Sequence, residues 1–197
     1  MLQRIMLAIG LCWGFSCGSL EAAEPTRVHL KTSVGDIVLE LDLERAPVTV
    51  NNFITYVQGG FYDGTVFHRV MQNFMIQGGG YDQRDLRNEK KSNKPIQNES
   101  MNGLSNTKYT IAMARTPDPN SATSQFFINT VDNHSVLDRN SPQGDSFGYC
   151  VFGKVIDGHK VVDAIAATQV SQDARGEMSQ PLQAVVIQKA ELLSRTK

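Results

Sequence analysis

The feature that most constrains the fold is a succession of short β-favouring runs, each broken by glycine-, proline- or asparagine-rich turns, with room for only two convincing helices. Val28 to Lys31 and Ile37 to Leu41 alternate apolar with polar residues around Thr32-Ser33-Val34-Gly35-Asp36, a hairpin signal. Thr65 to Val70, Phe74 to Gln77, Tyr109 to Ala114, Gln125 to Thr130, Tyr149 to Val155 and Ala184 to Leu193 read as further strands. Pro47 suits a first helical turn, Val50, Phe53, Ile54 and Val57 share one helical face, and Gly59-Gly60 ends it. A second helix is expected over Gly158 to Thr168, with Val161, Val162 and Ile165 on its buried face. About eight strands and two helices favour a closed antiparallel barrel or a sandwich, its open ends capped by the helices.

A chain of 197 residues accommodates one domain. The segment from Arg4 through the apolar run Ile5 to Phe15 and on to Ala22-Ala23 has the organisation of a secretory signal peptide, so residues 1–22 are expected to be a leader and residues 26–194 the domain. That apolar run is shorter than the roughly 20 residues needed to span a bilayer. After leader removal no membrane association is expected. Lys and Arg total 19 against 20 Asp and Glu, a balance that argues against nucleic acid as a partner. Cys12 and Cys17 fall in the leader, which leaves Cys150 unpaired and, within the apolar run Tyr149 to Val155, a small core residue. The polar stretch Asp82 to Lys108 reads as an exposed loop and its charge run as solvated surface.

His29, His68, His134 and His159 are scattered, and no metal-binding motif occurs, so no metal or cofactor is expected. Gly78-Gly79-Gly80 is read as turn geometry, since no helical pattern follows as a phosphate loop requires. Gly144-Asp145-Ser146-Phe147-Gly148 matches the Gly-x-Ser-x-Gly elbow of serine hydrolases only formally, because the elbow needs a strand before the serine and a helix after it.

One constellation stands out: Phe67-His68-Arg69, Phe74-Met75-Ile76-Gln77-Gly78-Gly79, Ile111-Ala112-Met113-Ala114, Ser124-Gln125-Phe126-Phe127-Ile128 and Phe152-Gly153-Lys154-Val155. In this order and spacing it resembles the cyclophilin-type peptidyl-prolyl cis-trans isomerases, from about Val28 to Leu193, and Pro95-Ile96-Gln97-Asn98-Glu99 with Asn102-Gly103-Leu104 resembles their Gram-negative bacterial branch. The resemblance implies an eight-stranded antiparallel barrel capped by two helices. It implies a periplasmic monomer that speeds X-Pro rotation in folding exported polypeptides, the alternative being a proline-peptide binding module or chaperone with incidental turnover.

The chemistry asked of such a site is modest. Amide resonance sets a rotational barrier of about 18–20 kcal/mol, and a donor aimed at the proline nitrogen favours the twisted state, in which that nitrogen regains its lone pair. By resemblance the donor is Arg69 and Gln77 binds substrate backbone. Phe74, Met75 and Phe127 form the proline cup with Leu137 and Tyr149, and Ala114, Arg115 and Gln125 line the groove. Phe67, Ile76, Phe126 and Ile128 alternate with these residues and are expected in the core. His68 is expected to be a hydrogen-bonded structural histidine. Val136 stands where the family has a tryptophan and Tyr149 where it has an active-site histidine, with Arg139 to Asp145 an apparent insertion. The missing tryptophan implies weak cyclosporin binding.

Overall fold

The computed structural model describes residues 25–193. The expected leader over residues 1–22 lies outside them. Strands β1 (Thr26–Thr32) and β2 (Gly35–Leu41) form the expected hairpin, followed by α1 (Pro47–Gln58), β3 (Thr65–Met71), β4 (Met75–Asp82), β5 (Thr110–Met113) and β6 (Phe126–Asn129). A one-turn helix α2 (His134–Leu137), β7 (Val151–Asp157), α3 (His159–Ala166), β8 (Val170–Gln172), β9 (Met178–Pro181) and β10 (Val186–Leu192) follow among the described residues. Eight strands close a barrel in the order β1-β10-β3-β4-β6-β5-β7-β2, every pair antiparallel. Closure removes the free edges that an open sheet of this size would expose.

Alternation explains what fills it. Val28 and Leu30 of β1 and Ile37, Leu39 and Leu41 of β2 point inward and are buried, while their neighbours face out. Val70, Ile76, Ile128 and Ile111 form a row across four successive strands, each fully buried. Helix α1 closes the core by placing Phe53 against Tyr62, Phe126 and Phe152 at ring-centroid distances of 5.1, 5.5 and 5.2 Å. Helix α3 contributes Val162 and Ile165 to the same core. Phe67, Ile76, Phe126 and Ile128 are all in it, as alternation predicts, and Cys150 is a buried free thiol there.

One expectation needs correction, and two features go beyond the sequence reading. Gly78-Gly79-Gly80 lies within β4 instead of forming a turn. The reason for glycine is proximity: Gly79 has φ +82°, and a Cβ on it would stand 2.9 Å from the Tyr62 ring and 3.0 Å from the Phe126 ring. The stretch between β4 and β5 has a solvated charge run, but it is fastened to the body. Ile96 donates its N–H to the Ala122 carbonyl, and the Glu99 carboxylate accepts the N–H groups of Val48 and Thr49 at 3.0 and 2.8 Å. Glu99 thereby caps α1 from 50 residues away, which the local N-cap Ala46 does not do. Finally, β8 and β9 form a separate two-stranded hairpin that the sequence pattern does not predict, with β9 packed beside β3.

Candidate active site

The register of five strands assembles the outer face of the barrel. Arg69 of β3 pairs with Gln77 of β4, Gln77 with Phe127 of β6, Phe127 with Ala112 of β5, and Ala112 with Val151 of β7. This row runs beside the buried isoleucine row and points the opposite way, as period two requires. The same two-residue alternation that sends Phe126 into the core sends Phe127 out.

The row has a polar half and an apolar half. At the polar end Arg69 donates from Nη1 to Gln77 Oε1 at 3.2 Å, Gln77 Nε2 donates to Gln125 Oε1 at 2.8 Å, and Gln125 Nε2 donates to Glu89 Oε1 at 2.7 Å. Gly80 admits this arrangement, since a Cβ there would fall 2.7 Å from the Gln125 side chain. On its other edge Arg69 donates from Nε and Nη2 to the two carboxylate oxygens of Glu177, at 2.6 and 2.9 Å. That bidentate contact holds the Glu177 carboxyl down at about 2, far below an ordinary glutamate. Of the five N–H donors of Arg69, three are engaged among the described residues, leaving one each on Nη1 and Nη2.

These residues line an open groove of about 1270 Å³, whose walls include Arg69, Gln77, Ala114, Arg115 and Gln125. The apolar half lies beside it as a small cluster outside the main core. Met75, Ala112, Phe127, Leu137 and Val151 pack together there, and Phe74, Ala114 and Tyr149 pack against them. Met75, Phe127 and Leu137 are nearly covered, whereas Phe74, Ala114 and Tyr149 keep partial exposure. Ala114 belongs to both halves. All ten residues singled out from sequence are thus brought to one side of the barrel, in two adjoining groups.

The departures at Val136 and Tyr149 have a structural setting. Tyr149 N–H donates to the Leu137 carbonyl at 2.9 Å, fixing α2 to the chain just before β7, and the Tyr149 ring meets Phe127 edge-on at 5.6 Å. Val136 is exposed at the surface of α2. Arg115 lies along the groove, but its guanidinium is committed elsewhere. It sits 4.3 Å over the Tyr149 ring, donates to the carbonyls of Gly148 and Thr116, and pairs with Asp145. With only 3% of its side chain exposed, Arg115 acts mainly as the anchor of the 139–149 loop.

His68 lines the groove and its ring packs on Tyr81 at 4.6 Å, with Nδ1 buried and without a hydrogen-bond partner among the described residues. Burial pushes its pKa down to about 4, so the ring is neutral at ordinary pH. Other chemistry is disfavoured by geometry. Ser146 lies in an exposed loop with no strand before it and β7 after it, the reverse of a hydrolase elbow. The Cys150 thiol is pushed up to about 11 by burial, which removes it as a nucleophile.

Sequence reasoning missed Glu177 and Glu89. Each reaches the site from a segment without a pattern of its own, and the only signal for the first was Asp173-Ala174-Arg175-Gly176, a turn sequence between two short polar runs.

A model of the family described as cyclophilin type peptidyl-prolyl cis-trans isomerase/CLD matches residues 27–192, nearly the whole described chain. The chain belongs to the cyclophilin family. This cyclophilin is 52% identical over 166 residues to peptidyl-prolyl cis-trans isomerase cyp18 of Streptomyces antibioticus, covering 84% of this chain and 98% of the relative. It is 45% identical over 197 residues to peptidyl-prolyl cis-trans isomerase A of Dickeya dadantii, covering 99% and 100%. Among solved structures, the cyclophilin of Cryptosporidium parvum determined in the presence of the dipeptide Ala-Pro superposes with a TM-score of 0.66 at 23% identity, over 86% of this chain and 99% of that one. The eight-stranded barrel is therefore the cyclophilin barrel, and the protein is a peptidyl-prolyl cis-trans isomerase. Among the described residues no helix is long and apolar enough to cross a membrane.

Proposed function

We propose that this cyclophilin isomerises X-Pro bonds by hydrogen-bond donation from Arg69 to the proline nitrogen, with the proline ring against the apolar cluster and the preceding residues in the polar groove. The observation that carries the reading is the single cross-strand row in which Arg69 and Gln77 stand beside Phe127. A prolyl ring against Phe127, Phe74 and Tyr149 brings its nitrogen to the boundary between the two halves, where the donors of Arg69 converge. As the bond twists, conjugation is lost and the nitrogen lone pair becomes an acceptor. A fixed cationic donor binds that state better than the planar one, and only this difference lowers the barrier. Gln77, held between Arg69 and Gln125, is placed to hydrogen-bond the substrate backbone. No nucleophile or general base enters, in keeping with the neutral His68 and the inert Cys150.

The cellular reading rests on residues 1–22, whose pattern is that of a secretion signal. We assign the mature chain to the periplasm as a monomer that speeds proline-limited folding of exported polypeptides. Val136, on the outside of α2 where the family has a tryptophan, makes it a weak cyclosporin binder; a nanomolar dissociation constant would contradict that.

The test is the cis-to-trans rate of a proline-containing tetrapeptide with the mature protein and with Arg69→Ala. Acceleration that the substitution reduces by about 10²–10³, the range for removing one preorganised donor, supports the role of Arg69. An unchanged rate with Arg69→Ala would remove arginine from the mechanism.

A further inference from the structure

We infer that Glu177, in the turn that joins β8 to β9, is a positioning residue for Arg69, so that this hairpin outside the barrel is part of the isomerase machinery. The inference rests on the reading of Arg69 as the catalytic donor.

An arginine on the outer face of a strand carries a long, rotamer-rich side chain, and a donor that wanders stabilises no particular transition state. Here the Nε and Nη2 edge is gripped by both carboxylate oxygens of Glu177, which fixes the plane of the guanidinium and turns its Nη1 corner toward Gln77 and the Phe127 row. Nothing in β3 itself does this. Arg69 stands in mid-strand, and Gln77, its cross-strand neighbour, supplies one contact.

The hairpin is built to hold the carboxylate still. The Asp173 carboxylate accepts the N–H groups of Arg175 and Glu177 at 2.8 and 2.9 Å, the Asp173 N–H reaches the Glu177 carbonyl at 2.8 Å, and Gly176 takes φ +83° to close the turn. Arg175 pairs with Asp173 at 2.8 Å and stands 3.7 Å from Glu177, so a second cation flanks the carboxylate without displacing Arg69. Strand β9 then lies along β3, the strand that carries Arg69. The carboxylate stays ionised throughout the range in which such an enzyme works, since its pKa is near 2.

The experiment compares the full mature protein with Glu177→Gln, which keeps size and shape while breaking the bidentate ion pair, and with Arg69→Ala and the double variant. Steady-state isomerisation gives kcat and KM separately, and ¹⁵N–¹H NMR follows the Arg69 Nε–H signal. The expected result is a kcat lower by about 10-fold or more with KM within roughly 2-fold. The Nε–H signal, sharp and slowly exchanging in the unmodified protein, should be lost, and Glu177→Gln should have no further effect in the Arg69→Ala background. An Arg69→Ala variant that loses its activity beside a Glu177→Gln variant with unchanged kcat and an unchanged Nε–H signal would overturn the role of Glu177 alone. A kcat that rises in Glu177→Gln would overturn it as well, by showing the carboxylate to be a competitor for the donor. Full activity in Arg69→Ala would overturn both readings together.

Discussion

Phe127 and Tyr149 meet edge to face, with ring centroids 5.6 Å apart and planes 77° from parallel. Phe127 comes from a barrel strand and Tyr149 from the loop before β7, so this contact joins the strand-borne wall of the apolar cluster to its loop-borne one. The Arg115 guanidinium sits 4.3 Å over the Tyr149 ring. The ring does the structural work, and the hydroxyl makes no hydrogen bond among the described residues. Tyr149→Phe should therefore keep kcat/KM within about 2-fold, whereas Tyr149→Ala, losing an aromatic pair and a cation–π contact, should lose about 1–2 kcal/mol in chemical denaturation and roughly 10-fold in kcat/KM. Equal losses in both variants would assign the role to the hydroxyl.

Gly80 gives a test of the polar chain that spares the fold. The three atoms nearest a Cβ there all belong to the Gln125 side chain, at 2.7 to 2.9 Å, so Gly80→Ala should push Gln125 off Gln77. Peptide isomerisation should fall by about 3- to 10-fold while the denaturation midpoint moves by less than roughly 1 kcal/mol. A large stability loss would mean that the backbone, not Gln125, gives way.

How legible the site was follows from which forces place its residues. Phe126 and Phe127 could be sent to opposite faces from sequence, because strand alternation is local and strict, and the barrel strands were found by the same signal. The one-turn helix that carries Leu137 and the hairpin that carries Glu177 have no such periodicity. The ion pair from Glu177 to Arg69 spans 108 residues, and β9 ends in Pro181, a residue that argues against a strand. Gly78-Gly79-Gly80 misled for a related reason: Gly79 answers to Tyr62 and Phe126 and Gly80 to Gln125, which only the folded barrel brings near.

His68 should leave a mark on acid stability. Its folded pKa of about 4 lies below the ordinary value of 6.5, so between these limits the unfolded chain binds a proton that the folded one refuses. Stability should fall as pH drops from 6.5 toward 4, by on the order of 3 kcal/mol for this group when the window is crossed. Denaturant unfolding of the unmodified protein and of His68→Gln at pH 7.5 and pH 4.5 checks this. The dependence should be shallower in the variant, and identical slopes would refute the assignment.

Glu99 should matter for stability and not for catalysis. Its carboxylate caps α1 through the N–H groups of Val48 and Thr49 and the Thr49 hydroxyl. Glu99→Ala should cost about 1–2 kcal/mol in thermal or denaturant unfolding, as lost caps do, with kcat/KM unchanged at a temperature where the variant is folded.

The central claim is that Arg69 acts on the twisted state rather than on the bound ground state. The most direct measurement is the on-enzyme cis-trans exchange rate of a saturating X-Pro peptide by NMR exchange spectroscopy, together with its dissociation constant, in the unmodified protein and in Arg69→Ala. The account predicts exchange slower by about 10²–10³ with a dissociation constant changed by no more than roughly 3-fold. A variant that binds the peptide far more weakly but turns over what it binds at the original rate would contradict it, making Arg69 a substrate-holding residue instead of the catalytic donor.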